Sequence, residues 1–169
     1  MSRFKLFAFI ALITLAFSVA IVGDALARER FKTRTVYYTV KSEPIDVGDE
    51  EGHVLGVVEY KGIGSNMEGQ AFGDGLAVRA VSIYDMNPKT EAGSGLGYVE
   101  WTAPDGDKCY FRSDYQRAKG KPWQSEGKLT NLRGTGKYEG IKGEGTFRSY
   151  VIAPRQFYVD QEWEVELPR

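Results

Sequence analysis

The chain has 169 residues, with 22 basic and 23 acidic side chains and a formal net charge of −1. That balance excludes the basic excess by which a nucleic-acid binder holds phosphates. One histidine and one cysteine are too few for a structural zinc site, and a lone cysteine closes no disulfide within its own chain.

The first 27 residues read as an address. Arg3 and Lys5 form a basic start, Leu6 to Val22 is apolar or small, and Ala25-Leu26-Ala27 supplies the small residues before a cut. This is the layout of a secretory signal peptide, helical in its apolar run and cleaved after Ala27. The rival is an uncleaved tether, for which the run is short of the ~20 residues of a membrane span. No cysteine follows the run to carry a lipid. The expected location is therefore the periplasm or the exterior, with no membrane contact after cleavage.

Arg28–Arg34 is basic and reads as a loose arm. From there the apolar residues alternate instead of recurring at a helical period. Thr35–Lys41 is β-branched and aromatic. His53–Lys61 carries Val54, Val58 and Tyr60 on one parity, and Ala77–Asp85 is similar. Leu96–Ala103 and Lys108–Asp114 flank Pro104-Asp105-Gly106-Asp107. There proline presets φ and glycine takes the left-handed position, so the pair is a hairpin. Trp123–Thr130 and Gly143–Ile152 bracket a glycine run. In the last segment Phe157, Val159, Gln161, Trp163, Val165 and Leu167 share one parity. Tyr158, Asp160, Glu162, Glu164 and Glu166 share the other, so one face is buried and one is in water. Eight strands at this spacing predict an all-β domain over 35–169, a sandwich or a barrel. If the strands run up and down, the glycine run shares one end with Gly62–Gly75 and the Pro104–Asp107 turn. The other end then gathers Ser42–Gly52, Met86–Gly95, Tyr115–Pro122 and Ala153–Gln156.

The glycine run is Gly134-Thr135-Gly136-Lys137-Tyr138-Glu139-Gly140-Ile141-Lys142-Gly143-Glu144-Gly145-Thr146-Phe147. A phosphate loop needs Ser or Thr after its Gly-Lys, and a helix to follow. Here Tyr138 follows, and the next segment alternates like a strand. The glycines fit backbone bends instead, with Gly140, Gly143 and Gly145 in a tightly coiled strand and Tyr138, Ile141 and Phe147 packing between them.

This run resembles a pattern of the allene oxide cyclase barrel-like group, which includes dirigent proteins and small exported bacterial proteins. The turn at Pro104–Asp107 is similar to one in that group. The resemblance covers mainly Trp101–Phe147. It implies a single eight-stranded antiparallel β-barrel in which the glycine run precedes the last strands. The polar pocket residues of the plant enzymes have no counterparts here residue by residue, so their activities are not carried over.

The remaining chemistry is sparse. His53 sits beside Asp49-Glu50-Glu51 at a loop, the place of a solvated turn residue. Cys109, between Lys108 and Tyr110, reads as a small buried hydrophobe. Asp49–Glu51 and Asp105/Asp107 lack the ligand spacing of a calcium loop. No metal and no cofactor is implied. The best leads are polar or aromatic groups set among strand residues: Tyr98, Glu100, Arg112, Arg148, Gln161 and Trp163. Pointing inward, they would line a ligand-holding lumen. Otherwise Glu100, Arg112 and Arg148 face water and Gln161 is satisfied by backbone. The expected role is non-catalytic binding of a small apolar or amphipathic molecule in the barrel or its mouth. An isomerase or cyclase, and an envelope assembly module that includes a homo-oligomer, are the alternatives.

Overall fold

The computed structural model describes residues 28–167 except 88, 91, 118, 119, 122 and 123. The signal segment and Trp123 lie outside them. Eight strands follow in order: β1 (Arg28–Asp46), β2 (Val54–Glu68), β3 (Leu76–Asn87), β4 (Ala92–Thr102), β5 (Lys108–Arg117), β6 (Gln124–Gly134), β7 (Lys142–Ala153) and β8 (Gln156–Glu166). Each pairs antiparallel with its sequence neighbours, and β8 returns to β1 to close a barrel. The closing seam runs from Arg28↔Glu166 to Tyr38↔Gln156 without a register break.

Two expectations need correction. Arg28–Arg34 is not an arm but the first half of β1. Its basic side chains are the outward parity, facing the acidic outward parity of β8. Arg28 bonds Glu166 at 3.1 Å, and Arg34 grips Asp160 at 2.6 and 2.8 Å. Phe31 and Thr33, on the other parity, are buried. The strands are also longer than alternation alone suggests. β1 continues past a bulge at Thr39/Lys41 to Asp46, and β2 reaches Glu68. Beyond the bulge β1 leaves β8, and Arg155 donates to the carbonyls of Thr39 and Val40 at 3.2 Å each. Residues 41–46 thus form a free edge, an arm paired only with the start of β2, which itself stays laddered to β3 from Val54↔Met86 onward.

The inward parity makes the core. Trp101, Phe111 and Trp163 meet edge to face, with Trp101–Phe111 and Phe111–Trp163 centroids both 4.9 Å apart. Nearer the other end Tyr37 stacks on Phe157 at 5.0 Å, and Tyr60 meets Phe157 edge-on. An eight-stranded barrel has room for little more than its own side chains. Glycines make that room. Inward Gly56 lies directly opposite Tyr84, Gly95 opposite Tyr115, Gly127 opposite Phe147 and Gly145 opposite Trp163. A Cβ at Gly56 would sit 2.5 Å from the Tyr84 ring, and one at Gly127 would collide with the Asp114 carbonyl and the Phe147 ring.

The loops divide as an up-and-down order requires. At one end a 3-10 turn, Gly136–Tyr138, carries the glycine run over the barrel mouth. Tyr138 and Ile141 are buried there, and the Tyr138 hydroxyl donates to the Phe72 carbonyl at 3.0 Å. Phe72, from the β2–β3 link, completes the plug. Gly143 and Gly145 lie in β7 as expected, but Gly140 is a turn residue at φ +85° and not part of the coiled strand. The Lys137 amide donates to the Asp107 carboxylate at 3.0 Å, so an internal anion takes the place a phosphate would need.

Gly127→Ala should lower stability by about 3 kcal/mol, because the wall has no slack for a Cβ. Lys128→Ala, one residue on and facing out, should change it by less than about 0.5 kcal/mol. Urea unfolding of the two variants checks the contrast.

Candidate functional site

The six residues singled out from sequence separate into two groups. Gln161 and Trp163 point inward and are buried. Thr33 Oγ1 donates to Gln161 Oε1 at 2.7 Å, so a side chain and not backbone satisfies the amide oxygen. Trp163 belongs to the aromatic core. The other four face outward. Tyr98 is 63% exposed and lies opposite Arg112. Arg112 forks onto Asp114 at 2.9 and 2.5 Å, and Glu100 receives Lys108 Nζ at 2.9 Å. Arg148 is exposed between Glu126 and Asp160. These four therefore do not stud the lumen. Isolated charges are too costly to bury unpaired, and the outer wall offers them water and partners.

The inner wall holds uncharged groups instead. Burial pushes the Tyr115 hydroxyl up to about 12, and it raises those of Tyr37 and Tyr60 as well. These phenols stay protonated and are poor bases. Cys109 is 1% exposed, and burial pushes its thiol up to about 12, which leaves it inert as a nucleophile.

One concave feature is lined mostly by outward-facing side chains. A shallow open groove of about 1280 Å³ follows the outer wall from β1 to β8. Crossing β2 to β8 takes about six interstrand spacings, on the order of 29 Å. Inward-facing residues contribute to its lining as well: the pairs Gly56/Tyr84, Gly95/Tyr115 and Gly127/Phe147. At the β1–β4 end its outward side chains are mostly apolar, with Asp85 and Ser94 among them. Ile45 lies opposite Leu55, and Val57, Ile83 and Leu96 form one cross-strand row. Leu55 is 44% exposed and Ile83 54%. At the β5–β8 end both charge signs line it. Gln116, Glu126, Arg148 and Asp160 stand in one row, with Asp114 and Lys128 in the next. Arg34 takes Asp160 and Arg112 takes Asp114, which leaves Lys128, Glu126, Arg148 and Glu162 unpaired among the described residues. Tyr150 lines this end, stacked on Tyr158 at 4.9 Å.

Of the six residues, only Arg148 lines this groove. The apolar end was missed, although the sequence carried a signal for it. β8 is apolar on one parity, whereas β2 has Leu55 and Val57 on the parity opposite Val54 and Val58, and β3 has Val81 and Ile83 opposite Val78 and Ala80. Strands that are apolar on both parities in a barrel of one layer must expose one of them.

No protein-family model matches the chain, and no curated protein matches it either.

Replacing Gln161 by Leu should cost about 2 kcal/mol, because the Thr33 hydroxyl loses its buried acceptor. Adding Thr33→Val should recover most of that loss. Arg148→Ala should leave the unfolding midpoint unchanged. A double-mutant cycle by thermal unfolding reads all of these.

Proposed function

We propose that this barrel is a non-catalytic binding protein for an amphipathic molecule, held along the outer groove and not in the lumen. One observation carries the reading: a single groove is mostly apolar over β1–β4, where Asp85 is its one charged side chain among the described residues, and is lined by charges of both signs over β5–β8. An extended molecule with an alkyl portion and an uncharged or zwitterionic polar portion matches both halves. Compact ligands are usually enclosed in pockets of ~300–1,000 Å³, which this open belt is not. An isomerase or cyclase would need polar side chains converging on one bound atom, and here they are spread along the wall. Export to the envelope and kinship with the allene oxide cyclase-like group belong to the same proposal. Their support is the N-terminal residue pattern, the eight-stranded barrel and the glycine run ahead of its last two strands.

An assembly module is the second reading. It is favoured by the exposed pair Val36 and Ile63, opposite one another on β1 and β2 and outside the groove. Sedimentation as a monomer at every concentration would count against it.

Decyl maltoside, kept below its micelle concentration, is a suitable probe for titration calorimetry. Ile83→Lys should weaken binding at least about ten-fold, equivalent to ~1.4 kcal/mol, with no change in melting temperature. Phe157→Leu, in the lumen, should leave affinity unchanged. Binding lost in Phe157→Leu but kept in Ile83→Lys would place the ligand inside. No heat with decyl maltoside, dihexanoyl phosphatidylcholine or decanoate would overturn the reading.

A further inference from the structure

The only histidine lies at the turn of the projecting arm. His53 Nδ1 is 2.6 Å from Asp49 Oδ1, and its Nε2 is 2.8 Å from Asp85 Oδ1 on β3. A neutral imidazole has one N–H, so its second nitrogen would turn a lone pair toward a carboxylate. With carboxylates at hydrogen-bond distance on both sides, the ring is held as imidazolium. Two further contacts join the same turn to the β3–β4 side: Asn87 Nδ2 donates to Glu50 at 3.1 Å, and Lys89 pairs with Glu51. Within the turn, Val47 donates to the His53 carbonyl at 3.0 Å, and Asp46 accepts from the Gly48 amide at 2.9 Å. Among the described residues the charged groups around the ring are thus Asp46, Asp49, Glu50, Glu51 and Asp85, against Lys89.

We propose that doubly protonated His53 is the bolt of a pH-sensitive clasp that fastens the 47–53 turn to β3, just beyond the β2–β3 ladder that ends at Val54↔Met86. The arm carries Ile45 and β2 carries Leu55 and Val57, three of the apolar side chains of the groove, and Asp85 lines the groove itself. Losing the bolt therefore loosens the β1 edge of the groove at Ile45, while Leu55 and Val57 stay laddered to β3, a consequence that rests on the binding role assigned to the groove above. The bolt stays partly accessible, its side chain 19% exposed, so protons reach it without unfolding.

The pH window follows from the signs. The hydrogen bonds to Asp85 and then to Asp49 raise the His53 pKa above its ordinary value. That contribution is fully present below the ordinary imidazole value and is lost as pH rises through the raised one. The hydrogen bond from His53 lowers the Asp49 pKa, so its contribution is lost only as pH falls through that lowered value. The clasp is complete between these two limits. Glu50–Asn87 and Glu51–Lys89 persist above the upper limit, so the arm loosens without detaching.

Nitrogen-15 spectra of the imidazole and amide hydrogen exchange, corrected for intrinsic rates, test this from pH 5.5 to 9. The His53 midpoint should lie above that of a free imidazole and fall in Asp85→Asn. Protection of the amides in 45–57 should drop by roughly three- to ten-fold through the same midpoint, the scale of one solvent-exposed ionic hydrogen bond. In His53→Gln it should be low and flat with pH, while protection in β8 is unchanged in every case. Affinity for decyl maltoside should change with the same midpoint in the wild type and not in His53→Gln. Flat protection in the wild type, or an unshifted midpoint, overturns the clasp. Failure of decyl maltoside to bind at any pH overturns the groove assignment instead, and the exchange readout then decides the clasp alone.

Discussion

The fit of an aromatic ring on one strand over a glycine on the next sets the rest of this barrel. Tyr84 over Gly56, Tyr115 over Gly95, Phe147 over Gly127 and Trp163 over Gly145 are directly opposed pairs. Each ring occupies the space a Cβ would take, so large side chains enter a lumen that is narrow by construction. The same pairs fix register. A one-residue slip turns every side chain to the other face and would set rings against ordinary side chains instead of glycines. Because the interior is filled by neutral groups, charged chemistry is pushed to the outer wall. There it pairs across strands, as in Arg34–Asp160 and Arg112–Asp114.

Gly56, Gly95 and Gly127 also line the groove, together with the rings they face. The two ends then differ. Phe72, Tyr138 and Ile141 plug one. The other carries the arm, whose residues 41–46 are exposed and leave β8 after the bulge. An element with few buried contacts and a ring of polar fastenings is where low-energy opening is expected.

Much of this architecture was legible in the sequence. Alternation in Phe157–Leu167 was unambiguous because its two parities differ in kind, aromatic and aliphatic against acidic. Pro104-Asp105-Gly106 named its turn by stereochemistry. The grouping of loops at two ends followed once strands paired with their neighbours. The basic start of β1 was not legible, because Arg28, Arg30 and Arg34 make sense only beside Glu164, Glu166 and Asp160, more than a hundred residues away. The placement of Glu100, Arg112 and Arg148 depended on partners in space, and one sequence shows only neighbours in chain. The groove was hidden because apolar residues on both parities of a strand look like deeper burial until the barrel is seen to have a single layer.

The location of the ligand is the central claim, and methyl contacts decide it most directly. With isotope-labelled isoleucine, leucine and valine methyls, nuclear Overhauser effects from bound decyl maltoside should reach Leu55, Val57, Ile83 and Leu96. Effects reaching Val58, Val78 and Val159 instead, all inward-facing and buried, would place the ligand in the lumen and contradict the account.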